Sequence, residues 1–183
     1  MRIVGGRFRR RQIVAPSGWA TRPTSDRARQ ALFDMLMHAP WADGDIIGAT
    51  VLDAFAGTGA LGLEALSRGA GTAHFIERDA KALAALRRNI ATFGVEAACQ
   101  VVPGDATRPP PGSPCGLVFL DPPYGKDLVP KALGALITQG WIAANALIVA
   151  EVGIDDPLTL NVAPLDDRRY GAARVVVCRV TPQ

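Results

Sequence analysis

Residues 51–62 read Val-Leu-Asp-Ala-Phe-Ala-Gly-Thr-Gly-Ala-Leu-Gly, an apolar strand followed by a glycine turn and the start of a helix. Gly57 and Gly59 let a ligand approach the backbone closely, because glycine has no side chain. With Gly62 they match the Gly-x-Gly-x-x-Gly spacing of dinucleotide-binding proteins. This spacing alone is a weak signal, and it leaves several nucleotide-binding functions open.

Strand and helix patterns alternate along most of the remaining chain. Predicted strands cover residues 50–54, 72–77, 98–102, 115–120 and 146–151, and predicted helices cover residues 60–68, 79–93 and 128–138. Two further strands, 162–165 and 174–180, are expected to form an antiparallel pair at one edge. The alternation predicts an α/β fold, a mostly parallel seven-stranded sheet with helices on both faces.

Acidic residues occupy successive strand ends. Asp53 lies in the first strand, Glu77 ends the second and Asp105 follows the third. Open α/β sheets bind ligands at the carboxyl ends of their strands. Glu77 could hold both hydroxyls of a ribose, Asp105 the exocyclic amine of an adenine, and Asp53 an ammonium group or loop amides. This pattern predicts a pocket for an adenosine with an amino-acid tail, which is S-adenosylmethionine, although each acid alone also fits a purely structural role.

A fourth strand end carries Asp121-Pro122-Pro123-Tyr124. Asp121 and the carbonyl of Pro122 can each accept a hydrogen bond from an exocyclic amine, and neither proline offers a competing amide. Tyr124 can stack on a flat base. Read alone, the four residues fit a stiff turn equally well. Acids at three other strand ends favour the interpretation as a catalytic motif.

The first 30 residues are strongly basic. They contain eight arginines and a single acid, Asp26, whereas the rest of the chain has 12 basic and 16 acidic residues. Arginine makes forked contacts to phosphate and stacks on bases. Two short strands, residues 2–6 and 12–14, and a helix from Thr24 or Ser25 to about Met37 are expected here. The segment therefore predicts an ordered nucleic-acid-binding arm rather than a solvated tail.

The composition excludes several other classes of protein. The three cysteines, Cys99, Cys115 and Cys178, form no Cys-x-x-Cys pair, so neither a disulfide framework nor a metal site is expected. The sequence shows neither the apolar run of a signal peptide nor a membrane span, which leads us to expect a cytoplasmic protein.

The motifs together resemble class I S-adenosylmethionine-dependent methyltransferases that act on exocyclic amines. Within that group the N-terminal sequence is similar to the RsmD family, on Arg2 to Gly6, Arg9 to Arg11, the run 22–33 and the run 53–68. Arg169-Tyr170-Gly171 before the last strand also fits. The resemblance implies a Rossmann-like class I methyltransferase fold with a small N-terminal β-hairpin and helix extension. It also implies methylation of guanine N2 at the 966 site of bacterial 16S ribosomal RNA.

The resemblance also assigns roles to regions and residues. Residues 1–38 are expected to be an RNA-contacting extension and residues 39–183 the methyltransferase domain. Catalytic residues are Asp121, Pro122, Pro123 and Tyr124. Cofactor-binding residues are Asp53, Phe55, Gly57, Gly59, Glu77, Arg78, Asp105, Ala106 and Asp121. RNA-binding residues are Arg2, Arg7, Arg9, Arg10, Arg11, Arg22, Arg27 and Arg29. We expect a monomer whose substrate is 16S ribosomal RNA in a small subunit or an assembly intermediate.

Three alternatives stay open. A DNA adenine-N6 methyltransferase shares the 121–124 motif, but such enzymes usually carry a separate target-recognition domain. A nicotinamide-dependent oxidoreductase explains residues 57–62 and leaves both the basic arm and the motif unexplained. A non-catalytic RNA-binding assembly factor on the same fold is the third alternative.

Overall fold

The computed structural model describes residues 1–16, 26–125, 127–156, 158 and 162–180. The strands within these ranges are β1 Thr50–Asp53, β2 Thr72–Glu77, β3 Cys99–Pro103, β4 Cys115–Leu120, β5 Ile142–Gly153, β6 Pro164–Tyr170 and β7 Ala173–Arg179. The α-helices there are α1 Asp26–His38, α2 Ala60–Ser67, α3 Ala80–Phe93 and α4 Leu128–Thr138. The predicted alternation is confirmed, and most bounds agree within two residues.

The strands form one sheet in the order β3-β2-β1-β4-β5-β7-β6. The pairs from β3 to β5 are parallel, and β7 is antiparallel to both of its neighbours. The strand order reverses between β1 and β4, so the connections after these two strands leave toward opposite sides. A crevice opens between their carboxyl ends, which is where open α/β sheets hold ligands.

Both faces of the sheet are covered. Val51 and Leu117 point to one face, where they join an apolar cluster with residues of α1, α2 and α3. Leu52 and Val118 point to the other face and pack with residues of α4. This alternation follows from the two-residue period of a strand. The fold is therefore the predicted two-sided α/β sandwich.

The two ends of α3 show why the sequence specifies this helix. The carboxylate of Asp79 accepts hydrogen bonds from the amides of Lys81 and Ala82 at 2.8 and 2.9 Å, which satisfies donors of the first turn. Gly94 ends the helix with a φ of 66°, a left-handed conformation that glycine adopts without strain. Both signals were readable in the sequence. The helices of the described ranges are all too short or too polar to traverse a lipid bilayer.

The N-terminal segment folds back on itself and packs against the sheet domain. Its two expected strands are reduced to a single antiparallel bridge between Arg2 and Gln12. A short 3-10 helix, Gly6–Phe8, occupies the turn. Ile3 and Ile13 are buried in the same apolar cluster as α1. The expected helix caps, Thr24 and Ser25, lie outside the described residues.

The last strand pair is longer than expected at β6. The sequence pattern suggested residues 162–165, whereas β6 covers Pro164–Tyr170 and includes the run Asp166 to Arg169. Charged runs usually indicate a turn, but an edge strand exposes both faces and tolerates charge. Asp167 also pairs with Arg174 of β7 at 2.7 Å, which stabilises the pairing across the two strands.

Candidate cofactor and catalytic site

A cavity of about 570 Å³ opens at the carboxyl ends of β1, β2, β4 and β5. Its wall contains most of the predicted cofactor residues and the whole 121–124 motif: Asp53, Phe55, Gly57, Glu77, Arg78, Asp105, Ala106, Asp121, Pro122, Pro123 and Tyr124. Gly59 is absent from this wall and acts instead in the backbone of the loop. Parallel strands bring their ends to one edge, so residues that are far apart in sequence meet here.

The glycine loop after β1 shapes one side of the cavity. Gly57 and Gly59 have φ values of 54° and 83°, in the left-handed region where other residues are strained. A Cβ at Gly59 would lie 2.4 Å from Leu86, so this position has no room for a side chain. A Cβ at Gly57 would meet no protein atom within 4 Å. The missing side chain at Gly57 therefore leaves the wall open to a ligand.

Asp53 connects the end of β1 to the first turn of α2. Its side chain is 1% exposed, and its carboxylate accepts a hydrogen bond from the Gly62 amide at 3.0 Å. Burial raises the pKa of Asp53 to about 7; the Gly62 amide opposes this rise and the negative charge of Glu77 adds to it. A cationic ligand in the cavity would favour the ionised carboxylate.

Glu77 bridges the glycine loop and the start of α3. One carboxylate oxygen accepts from the Gly57 amide at 2.8 Å, and the other accepts from the amides of Arg78 and Asp79 at 2.8 and 2.7 Å. These three amides fix the orientation of the carboxylate. A carboxylate has about four acceptor sites, so capacity remains for a hydroxyl group of a ligand.

Asp105 lies on the rim of the same cavity, after β3. Its carboxylate accepts from the amide and the hydroxyl of Thr107 at 2.9 and 2.8 Å, and it lies 3.4 Å from Arg78. The hydrogen bonds from Thr107, with a smaller contribution from Arg78, hold the pKa of Asp105 below its usual value. Asp105 is therefore an ionised acceptor. Ala106 beside it is buried and closes the wall.

The 121–124 motif continues directly from β4 and faces Glu151 of β5. Pro122 is buried, Pro123 is exposed and Tyr124 is half-buried. The Tyr124 hydroxyl donates a hydrogen bond to Oε1 of Glu151. This contact holds the aromatic ring against the end of β5, where it lines the cavity. The ring is thus oriented by a residue outside the motif.

Three of the acids that line this cavity, Asp53, Asp121 and Glu151, lie on or directly after the adjacent strands β1, β4 and β5. Burial raises the pKa of Asp121 well above its usual value, and the negative charges of Glu151 and Asp53 raise it further. Perturbed acids in a cleft are typical of functional sites. Among the residues that the structure describes, no group of three or more His, Cys, Asp or Glu side chains has the arrangement of a metal site. A cationic or hydrogen-bond-donating ligand would offset this negative charge.

The cavity wall also contains residues that the sequence patterns did not predict for this site, among them Glu151 and Arg29. Glu151 ends a predicted strand, and an acid at a strand end is the signal that identified Asp121. Arg29 was grouped with the RNA-contacting arginines by its charge. Its side chain is 1% exposed and donates to the carbonyl of Arg2 and, at 3.0 Å, to Asp26. Arg29 is thus held inside the protein.

Four of the predicted RNA-binding residues, Arg2, Arg9, Arg10 and Arg27, line part of a second concavity of about 600 Å³. The guanidinium carbon of Arg7 lies 4.6 Å from the ring centre of Phe8. Arg11 lies at the same distance from the ring of Phe93 and also donates to a backbone carbonyl of α3. Arg22 lies outside the described residues. The basic surface is therefore partly committed to internal contacts.

Comparison with known proteins gives a consistent result. The family model described as Conserved hypothetical protein 95 matches residues 1–179. Ribosomal RNA small subunit methyltransferase D of Escherichia coli strain K12 is 39% identical over 160 residues, which cover 86% of this chain and 77% of that protein.

Solved structures share the fold over most of their length. The yhhF protein of Escherichia coli superimposes with a TM-score of 0.85 at 36% identity, over 100% of this chain and 99% of that chain. An RNA methyltransferase from Salinibacter ruber in complex with S-adenosyl-L-homocysteine gives a TM-score of 0.63 at 17% identity, over 88% and 95%. The second likeness concerns the fold alone.

Proposed function

The chain belongs to the RsmD family, as its match to Conserved hypothetical protein 95 and its identity to the Escherichia coli protein show, and from this premise we propose its reaction. It transfers a methyl group from S-adenosylmethionine to the exocyclic N2 of one guanine in bacterial 16S ribosomal RNA. The relative from Escherichia coli is named a ribosomal RNA small subunit methyltransferase. The proposed target is the guanine of the 966 site.

One observation carries the proposal: the glycine loop, Glu77 and the motif from Asp121 to Tyr124 line a single cavity. A nucleoside-binding loop and an amine-holding motif are the two halves of a methyl transfer site. A dinucleotide-dependent oxidoreductase needs the loop but has no use for the motif.

The carboxylates of the cavity fit S-adenosylmethionine. This cofactor is cationic at its sulfonium and ammonium groups, and the buried Asp53 and half-buried Asp121 are ionised more readily beside a cation. Glu77 retains capacity for the ribose hydroxyls, and Gly57 leaves the wall open. When bound, the cofactor supplies an electrophilic methyl group on sulfur. Asp53, Phe55, Gly57, Gly59, Glu77, Arg78, Asp105, Ala106 and Asp121 form the proposed binding set.

Residues of the 121–124 motif prepare the nucleophile. The lone pair of a guanine N2 is delocalised into the ring, so the protein must align it with the methyl carbon at about 3–3.5 Å. Asp121 and the Pro122 carbonyl accept the two amine hydrogens, which turns the lone pair toward the methyl group. Tyr124 stacks on the guanine base after the base has flipped out of the RNA helix. Bond formation at N2 releases one proton, which Asp121, with its raised pKa, accepts or passes to solvent.

The basic segment supplies the contact to RNA in this proposal. Residues 1–38 are the RNA-contacting extension and residues 39–183 the methyltransferase domain. The exposed arginines Arg2, Arg7, Arg9, Arg10, Arg11 and Arg27 face solvent in whole or in part, and Arg22 belongs to the same segment. Buried Arg29 is left out of the contact set. We propose that the protein acts as a monomer in the cytoplasm, on a small subunit or an assembly intermediate.

The proposal is tested by methyl transfer from labelled S-adenosylmethionine. Acceptors are free 16S ribosomal RNA, small subunits from a strain that lacks the activity, and duplex DNA of matched base composition. The modified nucleoside is then mapped by mass spectrometry. N2-methylguanosine at one position of 16S ribosomal RNA is the expected result. Label in DNA adenine would replace the proposal with the DNA methyltransferase alternative. Absence of label with the cofactor bound would point to a binding role.

A further inference from the structure

Glu151 is the acid of this cavity whose role neither the glycine loop nor the 121–124 motif explains. Leu120 of β4 pairs with Ala150 of β5, so Asp121 and Glu151 follow at neighbouring positions of two adjacent parallel strands. Because side chains alternate between the two faces of a sheet, Asp121 and Glu151, which lie two residues after Phe119 and Val149, point to the same face as those residues. Glu151 is 8% exposed and lines the cavity.

The contacts of Glu151 fix it relative to the site of the base. The Tyr124 hydroxyl donates to Oε1 of Glu151, so the stacking ring and this carboxylate hold each other in place. The charge of Glu151 also acts on Asp121 and is the larger of the two neighbouring charges that do so. A base stacked on Tyr124 with its amine on Asp121 would therefore present its adjacent edge to Glu151.

Guanine and adenine differ on that edge. Next to its exocyclic amine, guanine carries an N1–H donor, whereas adenine carries a bare N1 acceptor. A carboxylate can accept a hydrogen bond from the N1–H of guanine. Beside the bare N1 of adenine it places two acceptors against each other, which is unfavourable. Sites built to bind a donor reject analogues that lack it, because the hydrogen bond from that donor is lost in a place that water does not reach.

We propose that Glu151 selects guanine by accepting the N1–H of the target base, while Asp121 and the Pro122 carbonyl hold the N2 amine. This inference rests on the proposed function and makes it more specific. The 121–124 motif recognises an exocyclic amine on either purine. Glu151 supplies the second acceptor that makes the site a guanine site.

The decisive probe is 2-aminopurine at the target position, in the RNA form that accepts methyl groups in the transfer assay. This base retains the N2 amine but has an N1 acceptor in place of N1–H. We expect the unaltered protein to methylate guanine on the order of 100-fold faster, the usual cost of losing a hydrogen bond to a charged group in a buried site. Equal rates on the two bases would overturn the inference without any variant.

A Glu151→Gln variant provides the second arm. A glutamine amide can accept from N1–H or donate to a bare N1, so the preference for guanine should fall from about 100-fold to less than about tenfold. A merely structural role for Glu151 would lower both rates equally and leave their ratio unchanged. Cofactor affinity, measured by calorimetry, reports whether the variant retains its fold.

Two further variants complete the design. Asp155→Asn removes an exposed carboxylate four residues further along the chain and should leave the ratio unchanged. Tyr124→Phe keeps the ring but removes the hydroxyl that orients Glu151, so it should reduce the ratio less than Glu151→Gln does. No transfer to guanine in any RNA would refute the proposed function itself, whereas transfer without base preference would refute only the role of Glu151.

Discussion

Two clusters of buried charge lie on neighbouring parts of this molecule, and they are built in opposite ways. At the junction of the N-terminal segment and α2, Glu64 is completely buried. It accepts from the amides of Val4 and Gly5, each at 2.8 Å, and from Arg68 at 2.8 Å. At the cavity, by contrast, Asp53, Asp121 and Glu151 bring three acids together.

The difference separates a structural use of charge from a functional one. In the first cluster, Glu64 pairs with Arg68 and accepts from the amides of Val4 and Gly5, and these contacts hold the N-terminal segment on the domain. At the cavity, burial raises the pKa values of Asp53 and Asp121, and this costs folding free energy. A ligand that supplies positive charge or hydrogen-bond donors would offset that cost. Arg29 connects the two clusters, since it lies 3.9 Å from Glu64 and also lines the cavity.

The largest effect is expected at the acid cluster. Asp121→Ala should lower kcat by about 10³-fold or more, because it removes both an anchor of the amine and a proton acceptor. Cofactor affinity should fall much less than turnover, since the glycine loop and Glu77 are untouched and Asp121 is one of several residues in the proposed binding set. Turnover is measured with labelled cofactor and binding by calorimetry. Full turnover in the variant would show that the acid cluster is not catalytic.

Substitutions in the cluster around Glu64 should lower the stability of the fold rather than the rate of methyl transfer. Glu64→Ala removes the acceptor of the Val4 and Gly5 amides and of Arg68 Nε, together with the negative charge 3.9 Å from Arg29. Unfolding free energy should therefore fall by about 3–5 kcal/mol. Glu64→Gln keeps an acceptor oxygen and should cost less. Urea denaturation measures both variants. A loss below about 1 kcal/mol for the alanine variant would mean that the cluster does not hold the N-terminal segment in place.

A smaller effect depends on pH and involves Asp53. Its pKa in the folded state is about 7, against an ordinary value of 3.8. The folded protein therefore binds the proton more tightly, and stability falls as pH rises from about 4 to 7. Asp53→Asn keeps an acceptor for Gly62 and removes this cost. Its gain in melting temperature should be larger at pH 8 than at pH 5.

The affinity for the cofactor should depend on pH in the opposite direction to the stability. If Asp53 binds a cationic group, affinity for S-adenosylmethionine should rise with pH through about 7 in the unaltered protein and lose this dependence in Asp53→Asn. Calorimetry across this pH range measures both. A cofactor affinity that is independent of pH and of the substitution would limit Asp53 to its contact with α2.

The smallest effect is expected on the exposed basic surface, outside both clusters. Replacing Arg9 and Arg10 by glutamate should weaken RNA binding by about tenfold at low salt and reduce the dependence of affinity on salt. Neither residue is buried. The matched control replaces Arg87 and Arg88, two exposed arginines of α3. Equal losses in both pairs would indicate a general charge effect rather than a binding surface.

The sequence predicted the elements of the fold well, because each carries its own signal. Asp79 and Gly94 bound α3, and the apolar run before Asp121 marked β4. The charged run of β6 was misjudged because tolerance of charge depends on being an edge strand, which is a property of the whole sheet. Likewise, Glu151 bears the same signal as Asp121, but its importance depends on contact with Tyr124.

The sequence by itself determined the alternation of strands and helices, the glycine turn and the motif of residues 121–124, since each depends on residues close together in the chain. Only the tertiary structure decided that Glu151 touches Tyr124, that Arg29 is buried and that Asp53 titrates near pH 7. Burial, contact and electrostatic potential arise from segments that are distant in sequence. They are fixed only when the parallel strands bring their carboxyl ends to one edge of the sheet.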